Sequence, residues 1–204
     1  MADRFGYQRI VGVDKSEDIL GIAANRTAAT YSNIDYHRVD VPMESVPDIE
    51  SLGGFDIALV NWLFAHADTK SALLKMMLWT NRMMKSGGTV IGWTVATEDI
   101  RNADEGVVKD PKFRMNTYFD GGEKREGAVR QTEDEMEYRG SIYTFNTYHT
   151  LFQVAGFENV HFLEHHEYVA GRGTSNSSRA ERAMFEELIT WKGAILKVFR
   201  ATKL

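Results

Sequence analysis

Phe55-Asp56-Ile57-Ala58-Leu59-Val60 and Thr89-Val90-Ile91-Gly92-Trp93-Thr94 are apolar runs of strand length with a helical segment between them. From Thr69 to about Met84, the residues Leu73, Leu74, Met77, Leu78 and Met84 recur at the 3.6-residue period and give one apolar side. Asp68 stands where an N-cap belongs. Lys85-Ser86-Gly87-Gly88 then stops the helix with a glycine able to take a positive φ. Strand and helix alternating at this spacing predict a parallel α/β sheet.

The same alternation extends upstream. Ile10-Val11-Gly12-Val13 is apolar on both faces, as buried parallel strands are, and it ends in Asp14. Lys15-Ser16-Glu17-Asp18 offers a hydroxyl N-cap and two acids for the first turn, where the helix dipole favours them. Ile19, Leu20, Ile22 and Ala23 form an apolar helical face that fades around Ala28-Ala29. Ile34 to Val39 reads as a second strand ending at Asp40-Val41, and Pro42 prevents its continuation.

Downstream the pattern changes. Glu98 to Arg139 holds 12 acids and 8 bases, and its apolar residues are sparse. It is expected to form loops with a hairpin turning at Gly121-Gly122, leading into a strand at Ser141 to Phe145. Residues 98–145 are therefore read as an insertion. Asn146 then caps a helix over Thr147 to Ala155, Gly156 ends it, and Phe157 to Leu163 is a strand. Gly171 to Asn176 is a polar loop, Ser177-Ser178 opens a last helix over Arg179 to Ile189, and Gly193 to Ala201 is a final strand. No internal repeat is visible.

At 204 residues the chain is sized for one domain, 1–204, and 43% hydrophobic with 26% charged residues is ordinary for a globular protein. A net charge of −5 argues against the basic face that nucleic acid or an anionic membrane would require. The absence of Cys excludes disulfides and thiolate metal sites and fits a reducing compartment. No apolar signal segment opens the chain and no run approaches about 18 apolar residues, so the expectation is a cytoplasmic protein.

In open parallel sheets ligands bind beyond the carboxyl ends of the strands, so Asp14, Asp40, Asn61 and the loop after Thr94 are the places to look. A carboxylate at Asp14 can accept two hydrogen bonds from the vicinal hydroxyls of a ribose; as readily, it is an acid serving the helix dipole. Asp40 can accept from an exocyclic amine, or be a plain loop acid. His66 follows the third strand and is a candidate base near its usual pKa of about 6.5, or a residue that packs at the helix start. Trp93, Tyr118 and Tyr143, with Phe145, are candidates for lining an aromatic substrate pocket, and core packing accounts for Trp93 and Phe145 equally well. His165-His166 beside Glu164 and Glu167 does not make a metal pair, because adjacent strand residues point to opposite faces. No metal is expected. The Met76-Met77 and Met83-Met84 pairs read as core filling, and Glu133 to Glu137 as a solvated edge.

Taken in order, five segments resemble the motifs of the class I S-adenosylmethionine-dependent methyltransferases. Val11 to Leu20 resembles the motif whose acid holds the ribose, and Arg38-Val39-Asp40-Val41 the motif whose acid faces the adenine amine. Phe55 to Ala67 resembles the strand that passes beside the methionine part. Leu78 to Ile91 is similar to the turn before the next strand, with Ser86 in the usual Pro position, and Thr147 to Val160 to the late helix–strand junction of the small-molecule branch. The resemblance covers nearly the whole chain. It implies a Rossmann-like, mostly parallel sheet with helices on both faces and S-adenosyl-L-methionine as cofactor. It also implies cofactor-binding roles for Asp14, Lys15, Asp40, Val41, Asn61 and Trp62, with Val41 lending its backbone N–H. The implied reaction is in-line methyl transfer to N, O or C of a small-molecule acceptor, in which the protein mainly positions the reactants and excludes water. A homodimer is an assembly open to such a chain.

One departure stands against these matches. The family's first strand, helix and G-x-G-x-G loop belong before residue 10, where only nine residues with one glycine, Gly6, are found. The expectation is a copy shortened at its N-terminus, in which a gap opens or the strands at Ile10–Val13 and Phe55–Val60 pair directly. The alternative function is a non-catalytic, methyltransferase-like protein with an interaction role. A nicotinamide-linked oxidoreductase ranks behind both, since its own glycine fingerprint is also missing.

Overall fold

The apolar run at Ile10–Asp14 is a strand, β1, paired in parallel with β2 (Ile34–Arg38) from Ile10↔Ile34 to Asp14↔Arg38. Parallel neighbours need a crossover, supplied by helix α1 (Glu17–Thr27). Its cap is the one its sequence offers: Ser16 is extended, its Oγ accepts from the Ile19 N–H at 3.3 Å, and Glu17 and Asp18 occupy the first turn. At the other end the Thr27 hydroxyl lies 3.2 Å from that of Tyr36, fastening α1 to β2. The computed structural model describes residues 9–41, 49, 54–97, 113–120, 124–131, 136–164 and 196–204. These fall in two compact units, Met1–Leu52 and Gly53–Leu204. Pro42, the Gly171–Asn176 loop, the helix expected over Arg179–Ile189 and the His165-His166 pair lie outside the described residues.

In the second unit β3 (Phe55–Asn61) and β4 (Met84–Thr97) are parallel neighbours joined by helix α2 (Lys70–Arg82), as the alternation predicts. The details differ from the sequence reading in three ways. Thr69, not Asp68, is the N-cap of α2, its hydroxyl accepting from the Ala72 N–H at 3.1 Å. The buried side of the helix carries Leu73, Met76, Met77, Trp79 and Thr80, whereas Leu78 is 41% exposed. Finally, Lys85 to Gly88 does not precede the strand but bulges within it. The ladder steps from Phe55↔Met84 to Ile57↔Thr89, so Asp56 alone stands opposite four residues of β4. Lys85 reaches back across the bulge to both Asp56 carboxylate oxygens at 3.0 Å.

β4 is the hub of a seven-stranded sheet. It pairs in parallel with β3, and antiparallel with β9 (Leu196–Lys203) from Thr89↔Thr202 to Val95↔Leu196. β9 continues antiparallel to β8 (Phe157–Glu164). At its far end, Ala96 and Thr97 pair in parallel with Tyr143 and Thr144 of β7 (Met136–Thr144). Where the sequence suggests loops with one hairpin, β5 (Phe113–Asp120), β6 (Lys124–Gln131) and β7 form a three-stranded antiparallel meander, the Gly121-Gly122 pair lying outside the described residues. The order is β5-β6-β7-β4-β9-β8, with β3 beside β4. The fold is thus α/β with a Rossmann-like crossover sheet, to which β8, β9 and the meander add the antiparallel pairs.

Helix α3 (Phe145–Val154) is capped by Thr144, whose Oγ1 accepts from the Thr147 N–H at 3.1 Å, rather than by Asn146. Gly156 ends the turn after it at φ +84°, a conformation that costs a side-chain-bearing residue. The unit's core is aromatic. Phe64, Phe152 and Phe199 are fully buried with ring centroids 5.3 to 5.7 Å apart, and Phe157 joins Phe152 edge-on at 5.6 Å.

Candidate functional site

Asp14 closes β1, at the carboxyl end of the parallel β1–β2 pair. Its carbonyl accepts from the Val39 N–H at 2.9 Å, so the chain beyond β2 continues beside it, and Asp40 follows one residue later. Both acids therefore leave from the same end of adjacent strands, as the sequence predicts. Asp14 is half-buried and Asp40 exposed. The Asp14 Oδ1 accepts from the Ser16 N–H at 2.9 Å, which bends the chain into α1. That is the carboxylate's one hydrogen bond among the described residues, and a carboxylate has about four lone-pair sites. Lys15, exposed, presents its carbonyl to Arg38, whose Nε donates at 3.2 Å. Arg38 carried no role in the sequence reading. Aligning the two expected strands in parallel would have set it beside Asp14. Val41 is buried.

The strand-end residues of the second unit form their own group. Asn61, exposed, ends β3 opposite Trp93 of β4. Trp62 follows at φ 60°, in the left-handed region that residues other than glycine seldom enter, and is 42% exposed. Its N–H donates to the Trp93 carbonyl at 3.1 Å. A 3-10 turn, Leu63–His66, comes next, with Phe64 and Ala65 buried and His66 exposed. A residue other than glycine stays in this sparsely populated region only where the surrounding packing enforces it.

The pocket-lining candidates are placed differently from one another. Trp93 is half-buried on β4, and Phe145 lies 5.1 Å from the Phe162 ring. Tyr143 is only 1% exposed: its hydroxyl donates to the Ala67 carbonyl at 3.1 Å, and its ring meets Tyr148 edge-on at 6.0 Å. Tyr118 lies on β5 opposite Glu126. A buried hydroxyl pair, Thr94 and Tyr148 at 2.6 Å, escaped the sequence reading, because its members are 54 residues apart and share no motif. Burial pushes the Tyr148 phenol far above its ordinary value, against the opposing hydrogen bond from Thr94. Among the described residues no three His, Asp or Glu side chains gather as a metal site, and no helix is long and apolar enough to cross a membrane.

Comparison with protein-family models finds no match, and comparison with curated proteins finds none. Solved structures do match. An S-adenosylmethionine-dependent methyltransferase from Clostridium acetobutylicum ATCC 824 aligns over 96% of this chain and 75% of its own, at TM-score 0.60 and 10% identity. The CcbJ methyltransferase from Streptomyces caelestis aligns over 98% and 76%, at TM-score 0.57 and 12% identity. CalS10, an amino pentose methyltransferase from Micromonospora echinaspora solved with its S-adenosylmethionine, aligns over 99% and 77%, at TM-score 0.53 and 12% identity. By these alignments the chain has the fold of the class I S-adenosylmethionine-dependent methyltransferases.

Proposed function

We propose that the chain binds S-adenosyl-L-methionine and transfers its methyl group to a nitrogen, oxygen or carbon of a small-molecule acceptor. One observation carries this reading: Asp14 and Asp40 leave the same end of two paired parallel strands, the place where this fold gathers ligands. The donor set fits a nucleoside. Asp14 keeps acceptor capacity beyond its bond to Ser16, enough for both hydroxyls of a ribose diol. Asp40 is the acceptor for an exocyclic amine, and the Val41 N–H the donor beside it. Lys15 flanks the ribose acid, and for Asn61 and Trp62 a part in cofactor binding is what the family resemblance implies. When bound, the sulfonium supplies an electrophilic methyl group. The protein's own contribution is orientation and exclusion of water, with His66 as the candidate proton acceptor for acceptors that must ionise. The small-molecule class of the acceptor is supported by a neighbour named as an amino pentose methyltransferase.

Calorimetry with S-adenosylhomocysteine tests the reading. The wild-type chain should bind, and D14A should bind about ten- to a hundredfold more weakly, because hydrogen bonds to a charged group contribute roughly 1.5–3 kcal/mol. Equal heats from both proteins would remove the ribose assignment. A second reading, a methyltransferase fold in a non-catalytic interaction role, is favoured by Ile57 and Leu59, which share one face of β3 and are 43% and 69% exposed. No heat from the wild-type chain would overturn the first reading in favour of the second.

A further inference from the structure

The segment that follows β3 is pinned at three points. At its start the Trp62 N–H donates to the Trp93 carbonyl at 3.1 Å. In its middle the Phe64 ring is fully buried, 5.7 Å from Phe152 and 5.5 Å from Phe199. At its end Ala67 is fully buried, and its carbonyl accepts the Tyr143 hydroxyl at 3.1 Å. Between these pins two side chains are exposed, Trp62 and His66. A 3-10 turn of four residues is short, and it is joined to its flanks by the Ala65 N–H donating to the Trp62 carbonyl at 3.0 Å and the Ala67 N–H donating to the Phe64 carbonyl at 3.3 Å. Its geometry therefore depends on what holds it from outside.

Tyr143 reaches the segment from 76 residues away in sequence. It sits on β7 where that strand pairs both with the end of β4, at Ala96, and with the end of β6, at Lys124. The antiparallel meander and the strand-end segment thus meet at this residue. We propose that Tyr143 is a positioning residue, whose hydroxyl, by holding the Ala67 carbonyl, fixes the turn that presents Trp62 and His66. A buried carbonyl that loses its donor must rotate toward another one or toward water, and the turn rotates with it. Tyr143 therefore acts from beneath the site as a fastening rather than on its wall. The consequence for ligand binding rests on the reading of residues 61–66 as the cofactor's methionine side; the fastening itself does not.

The test compares wild type with Y143F, which keeps the ring and its edge contact with Tyr148, and with Y148F. The latter deletes a hydroxyl of the same core whose partner is Thr94, not the turn. Two readouts are taken: amide hydrogen exchange over residues 62–68, and affinity for S-adenosylhomocysteine. Y143F is expected to speed exchange in 62–68 at least tenfold, leave α3 and β9 unchanged, and weaken binding three- to tenfold. Y148F is expected to do neither. Unchanged exchange in Y143F, or an equal rise in Y148F, would overturn the fastening. Selective exchange with undiminished affinity would overturn the positioning role. If the wild type binds no S-adenosylhomocysteine, the functional reading fails on its own, and the exchange comparison still decides whether Tyr143 holds the turn.

Discussion

At Gly92 a Cβ would run into the Val60 carbonyl and lie 2.6 Å from the Phe199 ring, so β3, β4 and β9 pack this closely only because the residue lacks a side chain. G92A is expected to lower the unfolding free energy by about 1–3 kcal/mol in a urea titration, the range for overpacking a close-packed core. Tyr148 makes a second prediction. Burial holds its phenol neutral well beyond the ordinary range, whereas an unfolded tyrosine ionises near pH 10. The unfolded state therefore sheds its proton first, so the stability held below about pH 10 falls as pH rises further. Y148F should cost about 1 kcal/mol at neutral pH, since Thr94 loses its partner, and should flatten the decline above pH 10. An equally steep decline in Y148F would assign it to other groups. Asp14 and Asp40 were legible from sequence because each follows a segment that reads as a strand, Ile10–Val13 and Ile34–Val39. Tyr143 was legible only as an aromatic residue; its direction needed the turn at Ala67.

α2 shows where element-level reading stops. Its existence, its partners and the strand after it follow from the apolar period, yet its cap falls on Thr69 rather than Asp68 and its buried side includes Met76 and Thr80 rather than Leu78. Both residues at 68 and 69 are good caps, and only the backbone angle decides which oxygen faces the free N–H groups. The same competition placed the cap of α3 on Thr144 rather than Asn146. T69A should destabilise the chain by about 1 kcal/mol, read as a lower urea midpoint with unchanged slope. No loss would mean that packing of Leu73, Met76 and Met77 holds the helix start alone. Lys85 to Gly88 carries a turn signal that is true locally, but the β3 ladder resumes beyond it and absorbs it as a bulge. Sequence alone supplies the turn, not the resumption.

For the molecule as a whole, the strand–helix rhythm made the α/β class legible, while strand order stayed hidden. Nothing in Leu196–Lys203 states that it lies antiparallel beside β4, or that the acid-rich stretch folds into three strands that rejoin the sheet at Ala96 and Thr97. Those pairings are set by contacts between residues far apart in sequence, which periodicity does not encode. The strand-end acids were reachable because the ligand position in this fold is a property of topology. Their joint use on one nucleoside is the central claim, and a ligand–mutant cycle tests it most directly. Affinities for S-adenosylhomocysteine and for its 2′-deoxy analogue are measured on wild type and on D14A. Wild type should prefer the parent ligand by about tenfold or more, and D14A should scarcely distinguish the two, because the hydroxyl and the carboxylate are partners. The same preference in both proteins would contradict a ribose held by Asp14.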